Sequence, residues 1–155
     1  MQIILVKSSA HIDSLRELLW TYMEARGFDE ALGNYKEELS KPHQKYDCIL
    51  MMLKEDKAIG CIAYQELGDK IVEMKRMYVL PKERNKGVGK KLALSLINIA
   101  RKRGFAYMRL DTHPHMNEAQ SLYKKLGFYS IPRYNNNPTQ GIRFYELDLK
   151  KPGTY

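Results

Sequence analysis

Apolar and polar positions follow two different periods along this chain, and each change of period marks an element. Between Ser8 and Gly27 the residues Ile12, Leu15 and Leu19 recur at helical spacing, with Ser8 able to cap the helix and Gly27 able to end it. Elsewhere, short apolar runs bounded by polar turns indicate strands. The pattern predicts strands over residues 2–7, 46–53, 58–67, 71–80, 106–111, 128–131 and 142–149. It predicts three further helices over residues 28–39, 87–103 and 117–126.

The order of these elements predicts an α/β fold in one domain over residues 1–150, with a loose tail over residues 151–155. Short polar turns join the three strands between residues 46 and 80, which favours an antiparallel meander. A long helix separates the strand at 71–80 from the one at 106–111, so these two are expected to run parallel. The predicted sheet is therefore mixed.

Composition narrows the class of protein. The chain has 155 residues, 44% hydrophobic and 28% charged, and no run approaches the roughly 20 apolar residues of a membrane helix. The first residues also lack the pattern of a signal peptide, which predicts a cytoplasmic protein without a membrane partner. Cys48 and Cys61 lie in apolar runs without metal-ligand spacing, so we expect two buried free thiols and no metal.

The basic charge admits two explanations. The formal net charge is +8, but the basic residues are scattered and form no known nucleic-acid-binding motif, so we expect no nucleic-acid partner. Binding of DNA or RNA by the basic surface stays as a weaker alternative, for which steep salt dependence would be diagnostic. A ligand with several phosphates would explain part of the excess, because a positive site mouth attracts such a ligand.

A glycine-containing basic turn lies between the predicted strand at 71–80 and the helix that follows it. Its sequence is Arg84-Asn85-Lys86-Gly87-Val88-Gly89, with Lys82, Lys90 and Lys91 nearby. The first turn of a helix has unpaired N–H groups, and glycines let an anion approach them closely. The spacing fits neither a Walker A loop nor a Rossmann G-x-G-x-x-G. The turn therefore predicts an anion site of another kind.

Together with a second segment, this turn resembles a known family. The R-x-x-G-x-G turn is followed by Asn117-Glu118-Ala119 and then by Leu122-Tyr123-Lys124-Lys125-Leu126-Gly127-Phe128. Order and spacing resemble the GNAT family of acetyl-CoA-dependent N-acetyltransferases, most specifically over residues 72–128. The resemblance implies a mixed, mostly antiparallel sheet of six to seven strands flanked by about four helices. It also implies a V-shaped splay between the strands at 71–80 and 106–111.

The resemblance implies acetyl-CoA as co-substrate and no metal. The pyrophosphate would bind the glycine turn, and the pantetheine arm would lie in the splay beside the first strand. The residues so implied in cofactor binding are Met77, Tyr78, Val79, Arg84, Asn85, Lys86, Gly87, Val88, Gly89, Lys90, Asn117 and Tyr123.

The resemblance also implies catalytic roles. Tyr123 would protonate the departing thiolate, and a main-chain N–H near Met77 would polarise the acetyl carbonyl. Glu73 lies eleven residues before Arg84, as a strand glutamate does in some protein-acetylating relatives, and period two would place it on the face of Met77 and Val79. We therefore expect Glu73 to be the general base, with His113, His115 and a water chain as open alternatives.

The acceptor is expected to be a primary amine on a small molecule, bound by a monomer or a homodimer. A protein lysine or N-terminus is an alternative acceptor, and a non-catalytic acyl-CoA sensor is an alternative function. Arg133 and Arg143, beside the turn-rich segment 134–138, could pair with an acceptor carboxylate. An acidic group in the first helices could instead attract a polyamine or a lysine. That group comprises Glu24, Asp29, Glu30, Glu37 and Glu38.

Overall fold

A computed structural model describes residues 1–153, and within them seven strands form one sheet flanked by helices. The strands are β1 (Gln2–Leu5), β2 (Cys48–Lys54), β3 (Lys57–Gly68), β4 (Ile71–Val79), β5 (Tyr107–Thr112), β6 (Tyr129–Ile131) and β7 (Arg143–Asp148). The helices are α1 (Ser9–Ala25), α2 (Tyr35–Ser40), α3 (Pro42–Lys45), α4 (Val88–Lys102) and α5 (Asn117–Lys125). Two 3₁₀ turns, Glu30–Leu32 and Pro81–Glu83, complete the list. All seven predicted strands are present, each within a few residues of its predicted bounds.

The sheet has the order β1-β2-β3-β4-β5-β7-β6. Every neighbouring pair is antiparallel except β4 and β5, which are parallel as predicted. The two hairpin turns before β3 and β4 each have two residues with positive φ, Glu55 with Asp56 and Asp69 with Lys70. Such turns match the right-handed twist of paired strands, which explains why short polar links suffice there.

Each face of the sheet buries its own apolar layer. On one face, Leu92, Leu96 and Ile97 of α4 pack on β2 to β5. On the other, Leu15 and Leu19 of α1 pack on β2 and β3. Cys48 and Cys61 are free and buried, one in each layer, which confirms the prediction for both thiols. Among the described residues no helix is long and apolar enough to cross a membrane.

The region after α1 differs from the prediction. A single helix over residues 28–39 is wrong, because Gly33 adopts φ 64 and separates a 3₁₀ turn from α2. Pro42 does not end the helical region either, since it occupies the first turn of α3, where proline needs no N–H partner. At the other end of the chain, the Lys151 carbonyl accepts a hydrogen bond from Arg101. The predicted loose tail is therefore anchored at its first residue, and residues 154–155 lie outside the described part.

The middle of β4 departs from regular strand geometry. Tyr78 pairs with Cys61 and Lys75 pairs with Ala63, so two residues of β4 lie opposite the single residue Ile62. This arrangement is a β-bulge, and Arg76 within it has φ 57. A bulge reverses the side-chain alternation beyond it, which determines what β4 presents to each face.

Candidate active site

The strands β4 and β5 separate soon after they meet. They pair only at Ile71–Glu73 with Tyr107–Arg109, although β4 continues to Val79 and β5 to Thr112. A cavity of about 640 Å³ lies beyond this separation, between the end of β4, the glycine turn and the first turns of α5. The predicted splay is therefore confirmed. We refer to this space as the large cavity.

The glycine turn forms one wall of the large cavity. Gly87 has φ 81 and immediately precedes α4, and a Cβ placed on it would meet no atom within 4 Å. No side chain in the described part of the chain caps the first turn of α4. Its backbone N–H groups are thus available to an anion, and the positive end of the helix dipole adds to the attraction. Arg84 and Lys90 supply exposed positive charge beside them.

Most of the predicted cofactor residues meet in this place. The lining includes Met77, Tyr78, Val79, Arg84, Asn85, Gly87, Val88, Gly89, Lys90 and Asn117. Lys86 does not line it, and its Nζ lies 3.3 Å from the carboxylate of Glu83, which does. Lys54 also contacts Glu83, and the hydrogen bonds from Lys54 and Lys86 lower the pKa of that carboxyl. Asn117 is the first residue of α5, and its exposed side chain lines the large cavity, where a ligand could contact it.

A second cavity, of about 90 Å³, opens on the side of α1 and β5. We call it the small cavity. Its lining includes Tyr22, Lys75, Asp111, His113 and Tyr123. The two cavities share three lining residues, Met77, Met116 and Ala119. Two molecules bound in the two cavities would therefore meet beside Met77.

Tyr123 lines the small cavity and combines packing with an available hydroxyl. Its ring centroid is 5.7 Å from that of Phe128, and the residue is only 7% exposed. Its hydroxyl makes no hydrogen bond to any described residue. Burial, reinforced by Tyr22 and Asp111, raises the pKa of the Tyr123 phenol. The phenol is therefore protonated at neutral pH and available as a hydrogen-bond donor.

The main chain at the bulge has a defined direction. The carbonyl oxygen of Arg76 faces β3, where it lies 3.4 Å from the Sγ atom of Cys61. In a planar trans peptide the C=O and the following N–H point in opposite directions. The N–H of Met77 therefore points away from β3, towards the splayed side of β4.

Glu73 occupies a different place from the predicted one. Its Oε2 atom accepts hydrogen bonds from the Tyr134 hydroxyl at 2.5 Å and from Asn135 Nδ2 at 3.2 Å. Lys75 Nζ lies 3.4 Å from its Oε1 atom. The prediction that Glu73 shares a face with Met77 and Val79 is wrong. Val72 and Met74 lie in the same apolar layer as Met77 and Val79, because the bulge at Arg76 reverses the alternation.

Glu73 belongs to a polar network that sequence reasoning missed. Asn135 Nδ2 also donates to Asp111 Oδ2 at 2.7 Å, so one amide bridges two carboxylates. Burial and the Glu73 carboxylate raise the pKa of Tyr134, which keeps its hydroxyl a donor. The register of Glu73 opposite Arg109 puts Asp111 on the same face, two residues along β5. That register was the one signal from which the network could have been inferred.

The remaining candidates are divided between cavities and structural contacts. His113 lines the small cavity and His115 the large one, with their ring centroids 5.5 Å apart. Arg133 donates to two carbonyl groups of its own loop, and Arg143 donates to Gln120. These two arginines thus have partners within the fold.

The acidic group of the first helices does not form a shared surface for an amine. Glu38 is buried against Arg76, and Asp29 pairs with Arg26. Glu37 accepts a hydrogen bond from Asn34, whereas Glu24 and Glu30 are exposed.

Comparisons with known proteins agree with this geometry. The family model of the acetyltransferase (GNAT) family matches residues 12–128. An uncharacterized N-acetyltransferase of Schizosaccharomyces pombe is 31% identical over 152 residues, which cover 94% of this chain and 93% of that protein. The chain therefore belongs to the GNAT acetyltransferase family and is an acyltransferase. The family match begins well before residue 72, where the sequence resemblance became specific.

Solved structures share the fold. An aminoglycoside 6′-N-acetyltransferase complexed with coenzyme A superposes with a TM-score of 0.75 at 16% identity, covering 96% of this chain and 97% of that one. The ribosomal-protein-S18-alanine N-acetyltransferase of Escherichia coli has a TM-score of 0.73 at 19% identity, covering 99% and 96%. The predicted GNAT fold is thus confirmed.

Proposed function

We propose that this protein transfers the acetyl group of acetyl-CoA to a primary amine on a small molecule, by direct attack within a ternary complex. The observation that carries the proposal is the meeting of the two cavities at Met77, Met116 and Ala119. Acetyl-CoA would occupy the large cavity, with its pyrophosphate on the glycine turn and its thioester beside Met77. The amine would enter from the small cavity.

The transfer requires two stabilising contacts. The amine nitrogen attacks the thioester carbonyl carbon, and the carbonyl oxygen becomes an oxyanion, which the Met77 N–H is oriented to bind. Collapse of the intermediate reforms the C=O bond and breaks the C–S bond. The departing sulfur then takes the proton of the Tyr123 hydroxyl, and the resulting phenolate is reprotonated from solvent or by the proton that the attacking nitrogen loses as the amide forms.

The attacking amine must first lose a proton. We propose Glu73 as the base, as the sequence predicts, with His113 as the alternative that the small cavity favours. Glu73 is 5% exposed and is linked to that cavity through Lys75 and through the Asn135 bridge to Asp111. His113 lines the cavity directly. If Glu73 is the base, the proton of the amine must reach it through a relay, whereas His113 could accept the proton directly.

The size of the small cavity supports a small amine. Its volume of about 90 Å³ suits a few non-hydrogen atoms around the reacting nitrogen. The two solved structures above share the fold although one is named for an aminoglycoside and the other for a ribosomal protein. The alternative of a protein N-terminus or lysine thus differs from ours in the acceptor and not in the chemistry. Cytoplasmic location and oligomeric state stay predictions.

Two measurements test the proposal. Calorimetry with acetyl-CoA should give saturable binding by the wild type. Release of free thiol should then be screened with polyamines, amino acids, aminoglycosides and short peptides, each with acetyl-CoA. Thiol release with a small amine and none with peptides supports the proposal, and the reverse favours a protein acceptor. Tight binding without thiol release from any acceptor would favour the sensor, and absence of binding at millimolar acetyl-CoA would contradict the proposal altogether.

A further inference from the structure

A buried ion pair lies beneath the bulge of β4. Arg76 Nε and Nη2 donate to the two carboxylate oxygens of Glu38 at 2.9 Å each, and Nη2 also donates to the Leu32 carbonyl at 3.3 Å. The side chains of Arg76 and Glu38 are 7% and 0% exposed. Arg76 is the residue with φ 57, a conformation that side-chain-bearing residues seldom adopt.

The conformation of Arg76 determines where the next peptide points. The left-handed backbone at this residue creates the bulge, and the peptide that follows it turns the Met77 N–H away from β3. A regular strand through this position would alternate differently and would redirect that N–H. The direction of the proposed oxyanion contact therefore depends on keeping Arg76 in its unusual conformation.

Nothing local to β4 imposes that conformation. No glycine or asparagine stands at the bulge, and the sequence from Met74 to Tyr78 has no turn residue. A restraint from outside β4 is Glu38, which belongs to α2 and lies 38 positions earlier in the chain. A bidentate carboxylate–guanidinium pair fixes both the position and the plane of the arginine head group. The Leu32 carbonyl adds a third fixed point.

We propose that Glu38 is a positioning residue for acetyl transfer, which holds the bulge at Arg76 so that the Met77 N–H bonds the acetyl carbonyl. The inference rests on the proposed function, since it assigns a purpose to the bulge within that reaction. A positioning role of the ion pair differs from a purely stabilising role in one respect. An ion pair that only stabilised the fold could be replaced by any well-packed apolar pair without a change in carbonyl recognition.

Two double variants separate these roles. Glu38→Met with Arg76→Met removes both buried charges and leaves residue 76 with a side chain that disfavours the left-handed conformation. Glu38→Met with Arg76→Gly also removes both charges, but glycine adopts that conformation freely. Lys45, whose Nζ lies 4.0 Å from Glu38 Oε1, is partly exposed and can turn to solvent in both. Thermal unfolding tests whether both variants fold.

The readout needs no acceptor. Acetyl-CoA and the thioether S-ethyl-CoA have the same two-carbon chain on sulfur and differ in the carbonyl oxygen, so their affinity ratio reports the contact with the Met77 N–H. For the wild type, calorimetry should show acetyl-CoA binding about two- to tenfold more tightly, as expected for one hydrogen bond. The double variant Glu38→Met, Arg76→Met should lose this preference while keeping its affinity for S-ethyl-CoA. The double variant Glu38→Met, Arg76→Gly should regain the preference.

Several results would overturn the inference. A wild-type ratio of one would show that the carbonyl is not bound in this way. Equal affinity ratios in the wild type and in Glu38→Met, Arg76→Met would show that the ion pair does not position the N–H. Loss of the preference for acetyl-CoA in both double variants would show the same. If neither double variant folds, Glu38→Asp keeps the charge and shortens the reach, and an unchanged ratio there overturns the inference as well. Failure of the wild type to bind either CoA compound is a different result, which removes the proposed function itself.

Discussion

Replacing Tyr123 by phenylalanine should separate catalysis from packing. The ring contacts Phe128, so phenylalanine keeps that contact, and the hydroxyl has no hydrogen-bond partner in the described part of the chain. Its removal therefore leaves no buried group unsatisfied. We expect the free energy of unfolding to change by less than about 0.5 kcal/mol, which is less than about 2 °C in Tm.

The catalytic effect of the same substitution should be much larger. A thioester sulfur is a poor hydrogen-bond acceptor and a thiolate is a strong one, so the phenol contributes only as the C–S bond breaks. Loss of one proton donor lowers kcat by about ten- to a thousandfold, equivalent to about 1.4–4 kcal/mol of activation free energy. The affinity for acetyl-CoA should stay within about threefold, because the ground state gains little from the hydroxyl.

The assay is thiol release at saturating acetyl-CoA, combined with calorimetry on the same samples. Because burial raises the pKa of Tyr123, the wild-type rate should show no loss from phenol ionisation below about pH 10, the ordinary tyrosine value. Normal turnover by Tyr123→Phe with a good acceptor would refute the reasoning, and the thiolate would then leave with help from solvent. Equal losses in kcat and in acetyl-CoA affinity would also refute it, since the hydroxyl would then act in binding.

Three further predictions concern the base, the glycine turn and alkaline stability. Glu73→Gln should lower kcat by about two to four powers of ten and leave the affinity for acetyl-CoA intact. Tyr134→Phe is the control, because it removes the hydroxyl that donates to Glu73 and keeps the carboxylate. An equal loss of kcat in Tyr134→Phe would mean that Glu73 only holds the segment 134–138 in place. Gly87→Asp should weaken acetyl-CoA binding at least about tenfold in calorimetry. Gly104→Asp is the control, because Gly104 has a similar φ of 85 and open space around it, and this variant should bind normally. Similar losses of affinity in both variants would implicate backbone strain alone. Above about pH 10 the unfolded chain loses tyrosine protons that the folded chain retains. The free energy of unfolding, measured in urea, should therefore fall by up to about 1.4 kcal/mol per pH unit for each buried tyrosine. A free energy of unfolding that does not change with pH in this range would contradict the prediction. The buried or partly buried tyrosines whose pKa values rise strongly through burial are Tyr46, Tyr123 and Tyr134.

The sequence predicted best what is encoded within a short stretch of chain. The glycine turn, the strand before it and the helix after it are contiguous, so one segment specifies most of the large cavity. Long helices such as α1 and α4 were also found, because they span enough turns to show their period. The short α2 and α3, of six and four residues, show no period and were merged or missed.

The small cavity could not be predicted in the same way, because it is assembled from distant segments. Tyr22 of α1, Lys75 of β4, Asp111 of β5 and Asn137 of the loop before β7 line it together. No pairwise spacing in the sequence relates them. The bulge at Arg76 was missed for a similar reason, since its restraint comes from Glu38 and the local sequence reads as an uninterrupted strand.

The bulge in β4 lies between the large cavity and the small cavity. On one side of β4, Met77 and Val79 pack against the layer of α4, whose first turn forms the proposed anion site. On the other side, Arg76 lines the small cavity and is held by Glu38 in α2. If Glu38 holds the bulge as proposed, a shift of α2 would be transmitted through the ion pair to the Met77 N–H, and hence to the carbonyl of bound acetyl-CoA. Substitutions in α2 would then lower kcat without contacting either substrate, so a loss of kcat there would not by itself prove contact with the amine.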